Sequence, residues 1–550
     1  MDFFKLLGAG AKFDKKRFKE DISIFKPTRR SENQTIEVVD SVPRELDFFG
    51  DHGAQKRKQK TEAVPASQRS GSASQYVKTE DDHAPFSSED EVAAFLKRHR
   101  IKVTGTDVPH PIKSFEMLCK EHNFQPFVLR NLTRLGFKQP TPIQMQAVPI
   151  AVHRRDLIAN AQTGEGKTLA FLLSILHQVH SEEKVGYRAV VVAPTRELAT
   201  QIYDHLRNLT QGRKIKTCLL TKNSASAQAQ DPKLRKKYDI LVTTPLRLVH
   251  AIQNAEADLS HVRTLVLDEA DSLLEKGFLE QVDEILAACT SASLQISLFS
   301  ATVPSGVEQM ARTIMKDPVR VIVGTQNAAT ETIAQKLVFV GEEEGKLTEF
   351  RNMVATGFKP PCLVFVQSID RAKELFHELV FEGVNVEAIH SERTQTQRNR
   401  IIQRFRSGDL WVLICTELMA RGIDFKGVNL VINYDFPQSV QSYIHRIGRT
   451  GRAGRPGTAI TYFTKEDAPH LRTIVNVMRD SGCAVPEWML QLKNPRQDER
   501  KKLKKAPIER DAISTAPKYD ERRRKHKKQV IEQSKAKKLR LQSSGQPAQD

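Results

Sequence analysis

Short runs of aliphatic and β-branched residues recur along the middle of the chain, each closed by a polar or small-residue segment. RAVVVAP, DILVTTP, RTLVLDEAD and QISLFSAT fall between about residues 112 and 325. They are apolar at successive positions, not alternate ones, which is the pattern of a strand covered on both faces. Segments of helical period separate them. This alternation predicts a parallel sheet with helices on both sides, whose ligands bind beyond the carboxyl ends of the strands. PCLVFVQS, NVEAIHS, WVLICTE, NLVINYDFP and TAITYFT repeat the pattern from about 332 to 482. The expected fold class is therefore α/β. Two tandem domains of parallel sheet are placed at 96–325 and 336–485, with a linker at 326–335 within VGTQNAATETIAQ.

The flanks differ. Residues 1–95 are polar, with clusters such as DHGAQKRKQK and no sustained periodicity, and read as a disordered N-terminal arm. Its two apolar pieces, LGAGAKFDKKRF and ELDFFG, serve equally well as docking segments or as local stickiness. Residues 486–550 read as a basic tail. Within it, 496–550 hold 18 Lys+Arg against 8 Asp+Glu, over half of the chain's net +19. The plain reading of that run is solvated charge; the functional ones are nonspecific phosphate contact and nuclear targeting. So basic a chain points to a polyanionic partner, and charge alone does not separate RNA, DNA and an acidic membrane. The six cysteines form no CxxC pattern, and Cys362 and Cys415 lie inside apolar runs, which fits a reducing compartment. No apolar run approaches the roughly 18 residues of a membrane span, so no membrane partner is expected.

DLIANAQTGEGKTLAFLLSIL reads as strand, loop and helix. Glycines 164 and 166 let backbone N–H groups turn inward on phosphate oxygens, and the helix beginning near Lys167 adds its positive end. Lys167 would reach the β- and γ-phosphates of ATP, and Thr168 would ligand Mg²⁺. Ala161 stands where the general pattern has its first glycine, and the whole stretch Ala161, Gln162, Thr163, Gly164, Glu165, Gly166, Lys167, Thr168 is assigned to the nucleotide. The strand TLVL delivers Asp268, Glu269, Ala270 and Asp271. An acidic pair there is what a triphosphatase needs, Asp268 holding Mg²⁺ through water and Glu269 orienting and deprotonating the attacking water. A strand-end carboxylate pair opening a helix is the commoner use of such residues, but the phosphate loop a hundred residues upstream argues against it here. HRIGRTGR, residues 445–452, supplies Arg449 and Arg452 as candidates for stabilising charge on the γ-phosphate.

GFKQPTPIQ, AQTGEGKT, PTRELA, TPLR, DEAD, SAT, QTQR, ARGID and HRIGRTGR occur in this order, and together they resemble the DEAD-box RNA helicases over roughly residues 112–485. The resemblance implies two RecA-like domains that close over ATP and single-stranded RNA, with a core that acts as a monomer. It implies that Gln144 reads the adenine edge, Phe115 stacks on the base and Asp424 meets the ribose. Ser300 and Thr302 would couple the nucleotide to RNA, and His445 would join the Asp271 region when the domains close. For RNA it points to Thr195, Arg196, Thr244, Arg247, Gln395, Arg398, Thr416 and Gly422, contacting phosphates and 2′-hydroxyls and so carrying little sequence information.

Three places depart from the family pattern, all on the RNA side. Leu246 stands for glycine in TPLR, Glu417 for aspartate after Thr416, and TKNSASAQ for an expected double glycine. The flanking strings LGAGAKFDKKRF, KVTGTDVPHPIKSF, FKGVNLVINYDFP and SGCAVPEWM resemble a nucleolar subgroup acting on ribosomal RNA precursors in small-subunit assembly. That resemblance implies pre-rRNA or snoRNA-containing pre-ribosomes as partners, a nuclear and nucleolar site of action, and leaves a protein cofactor open. Two rivals stay in view. One is a DNA-directed helicase; the other is an ATP-gated RNA clamp or scaffold with little unwinding.

Overall fold

The computed structural model describes residues 85–179, 185–231, 236–274, 277–324, 332–417, 425, 427–452 and 455–492, and positions 508, 510, 513, 527 and 534. Two sheets form separate domains. The first holds β1 (Ile101–Thr104), β2 (Leu157–Asn160), β3 (Ala189–Val192), β4 (Thr217–Leu219), β5 (Ile240–Thr243), β6 (Thr264–Asp268), β7 (Gln295–Ser300) and β8 (Val319–Val323). Its spatial order is β1-β8-β2-β7-β6-β3-β5-β4, and every neighbouring pair is parallel except β1 with β8. The second holds β9 (Ile333–Phe339), β10 (Cys362–Val366), β11 (Val386–Ile389), β12 (Val412–Thr416), β13 (Leu430–Asn433) and β14 (Gly457–Phe463). Its order is β11-β12-β10-β13-β14-β9, parallel throughout.

Successive strand side chains point to opposite faces, so an all-apolar strand feeds two cores. In the first domain Leu157, Ala159, Val191 and Val242 enter one layer, while Ile158, Val190, Val192 and Leu241 enter the other. In the second, Leu363 and Phe365 face one way, and Cys362, Val364 and Val366 the other. The helices that follow the strands are started by side-chain caps. Thr195 Oγ1 accepts from Leu198 N at 3.3 Å and Ser439 Oγ from Ser442 N at 3.0 Å, and Thr394 and Gln397 form a reciprocal capping box.

This topology positions the site. β2, β7 and β6 are adjacent, so their carboxyl ends bring together residues 161–168, 300–302 and 268–271. β3, β5 and β4 form the other half of the same edge and end at Thr195, Thr244 and Thr221.

The domain boundaries shift at three places. A helix, Glu89–Arg98, capped by Ser88, lies partly inside the expected arm; five of its residues are charged, which hid the Val92, Phe95 and Leu96 stripe that packs inward. Residues 1–84 of the arm lie outside the described residues, as do 326–331 of the expected linker. The last three linker positions, Ile333, Ala334 and Gln335, already pair with Gly457, Thr458 and Ala459 in β9. The tail begins with the Glu487–Leu490 helix, whose Met489 is buried, and Ile508, Arg510 and Ile513 also contact the second domain. Among the described residues, no helix is long and apolar enough to cross a membrane.

β3 and β5 are joined at their amino ends by a buried ion pair. Arg188 Nη2 lies 2.7 Å from Asp239 Oδ1, and Asp239 Oδ2 accepts from Lys216 N at 2.8 Å. Asp239→Ala breaks this buried pair and removes the acceptor of Lys216 N, and is expected to cost about 3–5 kcal/mol in urea unfolding of the first domain. A loss under about 1 kcal/mol contradicts this role.

Candidate active site and nucleic-acid cleft

Gly166 precedes the Lys167–Gln178 helix with φ +86°, a left-handed conformation that favours glycine. A Cβ there would lie 2.3 Å from Gln144 Nε2 and 3.0 Å from Thr141 Oγ1. Those two residues grip the loop from behind. Gln144 Nε2 donates to Gly166 O at 2.9 Å, Gln144 Oε1 accepts from Thr141 N at 3.0 Å, and Thr141 Oγ1 donates to Glu165 O at 2.7 Å. Gln144 retains one N–H and one lone pair for a further partner. Inside the loop, Lys167 Nζ donates to Ala161 O at 2.6 Å, and Glu165 Oε2 accepts from Gln162 N at 2.8 Å. Burial raises the Glu165 pKa above the usual carboxylate range.

At the end of β6 the Asp268 pKa is pushed up to about 7, first by burial and then by the neighbouring Glu269 charge, with Lys167 opposing. Its Oδ1 accepts from Glu269 N at 3.0 Å. Glu269 itself holds φ +52°, unusual for a side chain with a Cβ. The buried Asp268 carboxylate at the end of β6 and the half-buried Thr168 hydroxyl at the start of the helix after β2 are oxygen donors on the same sheet edge, of the type suited to Mg²⁺.

Asp271 links this site to everything around it. Thr302 Oγ1 donates to Asp271 Oδ2, and Thr302 N and O engage Ser300 Oγ at 3.3 and 2.7 Å. Ser300 O in turn accepts from Ala161 N at 3.2 Å, which joins the SAT segment to the phosphate loop. From the second domain, His445 Nε2 lies 3.0 Å from Asp271 Oδ2 and 3.8 Å from Glu269 Oε2. His445 sits on the Val440–Ile447 helix, and the turn after that helix approaches the phosphate loop directly. Thr163 Oγ1 donates to Gly448 O at 3.0 Å, and a Cβ on Gly448 would lie 2.3 Å from Thr163 Oγ1. Arg452 lies against Gly164, where a Cβ would be 3.4 Å from Arg452 Cγ. Arg449 is buried, its Nε donating to His445 O at 3.0 Å. Arg452 thus stands against the loop, and Arg449 lies one turn of backbone before it, held to the His445 helix.

The other half of the sheet edge opens into a cleft of about 380 Å³. Arg196, Thr244 and Arg247 line it from the first domain and Gln395 from the second, all four expected. Thr195 lies behind, capping the Arg196–Leu209 helix. Arg398 serves a different contact: its Nε lies 2.8 Å from Glu197 Oε1, an ion pair between the domains. Thr416 ends β12 next to Glu417, which receives Arg446 Nη2 at 3.1 Å and the Ser442 hydroxyl. The longer Glu417 carboxylate is therefore used on the arginine-bearing helix. TKNSASAQ, in place of a double glycine, forms a helix capped by Thr221 and adds Lys222 and Asn223 to the cleft. Thr200 and Asn399 also line it; neither stands in a recognisable string, and only their register, four residues after Arg196 and after Gln395, marked their side of the helix. Leu246 is exposed beside Arg247. Gly422 and Asp424 lie outside the described residues.

Phe115 requires correction. It is 1% exposed within the first domain's core, in the cluster that holds Ile112 and Leu118, so its ring has no face for a base. It opens the Phe115–Glu121 helix after the Ser114 cap, and that helix turns it inward. Phe137 is 43% exposed and stands seven residues before Gln144. The signal for it lay in GFKQPTPIQ itself.

Comparison with known proteins agrees with this geometry. The DEAD/DEAH box helicase profile matches residues 141–310, and the helicase conserved C-terminal domain profile matches 345–454. The chain is 46% identical over 547 residues to "ATP-dependent RNA helicase ROK1" of Lodderomyces elongisporus, covering 98% of this chain and 99% of that one. It is 43% identical to "Probable ATP-dependent RNA helicase DDX52" of Mus musculus, with 98% of each covered. Among solved structures, S. cerevisiae Dbp5 bound to RNA and ADP BeF3 matches with TM-score 0.59 and 29% identity over 70% of this chain and 98% of that one. Mss116p bound to ssRNA and AMP-PNP matches with TM-score 0.60 and 26% identity over 72% and 83%. A phosphate loop, an acidic strand end and a basic cleft divided between two parallel-sheet domains are thus accounted for together: the chain belongs to the DEAD-box family of ATP-dependent RNA helicases.

Proposed function

We propose that ATP, held chiefly by the first domain, and RNA together seat the second domain on the first, and that the seated form hydrolyses ATP and bends one strand out of a short duplex. The observation that carries this is the contact of Gly448 with Thr163 and of His445 with Asp271, on the same segment whose Arg452 packs against Gly164. In this reading Lys167 leaves its loop carbonyls for the β- and γ-phosphates, and Gln144 uses its remaining N–H and lone pair on adenine, with Phe137 offering the stacking face. Thr168 and Asp268 hold Mg²⁺, which when bound offsets negative charge on the phosphate oxygens. Glu269 orients the water and accepts its proton, and Arg449 and Arg452 stabilise charge that develops on the γ-phosphoryl group. Arg196, Lys222, Thr244, Arg247 and Gln395 hold the RNA backbone, so binding carries little sequence preference.

The biological substrate follows from the flanking strings, which resemble the nucleolar subgroup: precursor ribosomal RNA or a snoRNA-containing pre-ribosome during small-subunit assembly, in the nucleolus. A protein cofactor that speeds the cycle fits the same setting. The test is crosslinking the chain to RNA in cells and sequencing the bound fragments. Enrichment of small-subunit precursor RNA supports the assignment; its absence from the bound set rejects it.

Purified protein is expected to hydrolyse ATP faster with single-stranded RNA than with DNA of equal length; equal stimulation would return the DNA-directed reading. Glu269→Gln should retain ATP binding, lose about 10²–10⁴-fold in turnover and hold RNA longer with ATP. A parent-like rate rejects its role as base. Gly448→Ala places a methyl group against Thr163 Oγ1 and should lower RNA-stimulated turnover on the order of a hundredfold while ATP affinity is kept. Parent turnover in that variant would mean this contact is not needed for catalysis.

A further inference from the structure

A second charged cluster lies at the carboxyl ends of β10, β13 and β14, outside the ATP site and the cleft. Three carboxylates form it: Glu343, and the fully buried Asp435 and Asp467. Lys346 Nζ lies 2.9 Å from Glu343 and 3.1 Å from Asp435, and Arg371 binds Asp435 at 2.7 Å and also meets Glu343. The third cation comes from the tail. Arg510, with a side chain 1% exposed, places Nη2 2.6 Å from Asp467 Oδ1, Nη1 3.4 Å from Glu343 Oε2 and Nε 3.8 Å from Asp435 Oδ1. Burial opposes its charge, but Asp467, Asp435 and Glu343 outweigh that and raise its pKa.

The flanking contacts are those of a fitted segment. Arg510 Nε donates to Gln367 Oε1 at 3.1 Å, and Gln367 Nε2 donates to Ile508 O at 3.0 Å. Ile513 N donates to Glu374 Oε2 at 2.8 Å, and its side chain is buried in the second domain's core. The rest of the basic tail offers many other cations; none in the described residues is built in like this one.

The cluster touches the catalytic helix. Asp435 O accepts from Arg446 Nη1 at 2.8 Å, and Arg446 is the residue after His445. Asp467 Oδ2 meanwhile accepts from Thr464 N and Oγ1 at 2.9 and 3.0 Å, closing the turn after β14. Arg510 therefore balances the Asp467 carboxylate that closes the turn after β14, and it faces the carboxylate of Asp435, the residue whose backbone carbonyl holds Arg446.

We infer that this acidic socket is a docking site for an arginine-bearing peptide segment, occupied by the chain's own Ile508, Arg510 and Ile513, and that Arg510 seated there is a positioning residue for ATP turnover, acting through Asp435 on the Arg446 helix. The inference rests on the reading that this helix serves the ATP site. Because ATP is held chiefly by the first domain, loss of the docked arginine acts on kcat and spares KM for ATP.

Full-length Arg510→Gln should lose roughly threefold to thirtyfold in RNA-stimulated kcat, the range of coupling between remote sites, with KM for ATP within about twofold. Arg510→Lys should recover part of the loss, since an ammonium keeps the charge but not the fork. If Arg510→Gln does not fold, Arg510→Gln/Asp467→Asn, which buries no unpaired carboxylate at that turn, is measured in its place with the same expectation. A kcat within twofold of the parent, or a KM that rises as much as kcat falls, overturns the inference. Arg449→Ala is run alongside. If it too keeps the parent rate, the reading of the helix has failed; if it collapses while Arg510→Gln stays at parent rate, the socket alone has.

Discussion

One buried carboxylate, Asp271, lies where the two domains meet. It takes the Thr302 hydroxyl from β7's end and faces His445 from the second domain at 3.0 Å. A carboxylate this deep is stable only when partnered, and it is met from both domains, by the Thr302 hydroxyl and Ser272 N from the first and by His445 from the second. The phosphate loop shares the arrangement, because Ser300, which holds Thr302, also receives Ala161 N. Contacts thereby run from the phosphate loop to His445 through adjacent strand ends.

The parallel sheet makes this economical. Every strand-to-helix turn opens on the same edge, so β2, β7 and β6 carry the phosphate loop, the SAT segment and the acidic strand end while β3, β5 and β4 border the basic cleft. The second domain bridges both halves, with Gly448 and His445 on one and Gln395 and Arg398 on the other. Coupling between ATP and RNA then needs no long pathway, only two rigid edges that meet at both sites at once. The Arg510 socket extends the same logic behind the second sheet, where charge balance among buried groups fixes the far side of the arginine-bearing helix.

Much of this was legible in the chain. Strands apolar at every position announced sheets covered on both faces, and the short strings at their ends marked the loop, the acidic pair and the arginines. Phe115 was misread because an aromatic before a glutamine-bearing segment says nothing about which way its helix turns it; the Ser114 cap and the core decide that. Arg398, expected on RNA, also pairs with Glu197 across the domains, a contact over two hundred residues that spacing does not reveal. Arg510 was lost among the 18 basic residues of the tail, since nothing local distinguishes the one cation whose carboxylates wait in another segment.

The most direct test is the distance between the two domains in the full chain, followed by energy transfer between one dye on each. With a non-hydrolysable ATP analogue and single-stranded RNA together, high transfer is expected, and with either alone, or with the analogue and DNA of equal length, low transfer. Equal transfer under all of these conditions, or full closure with the analogue alone, would contradict the view that ATP and RNA are joined through the seating of one domain on the other.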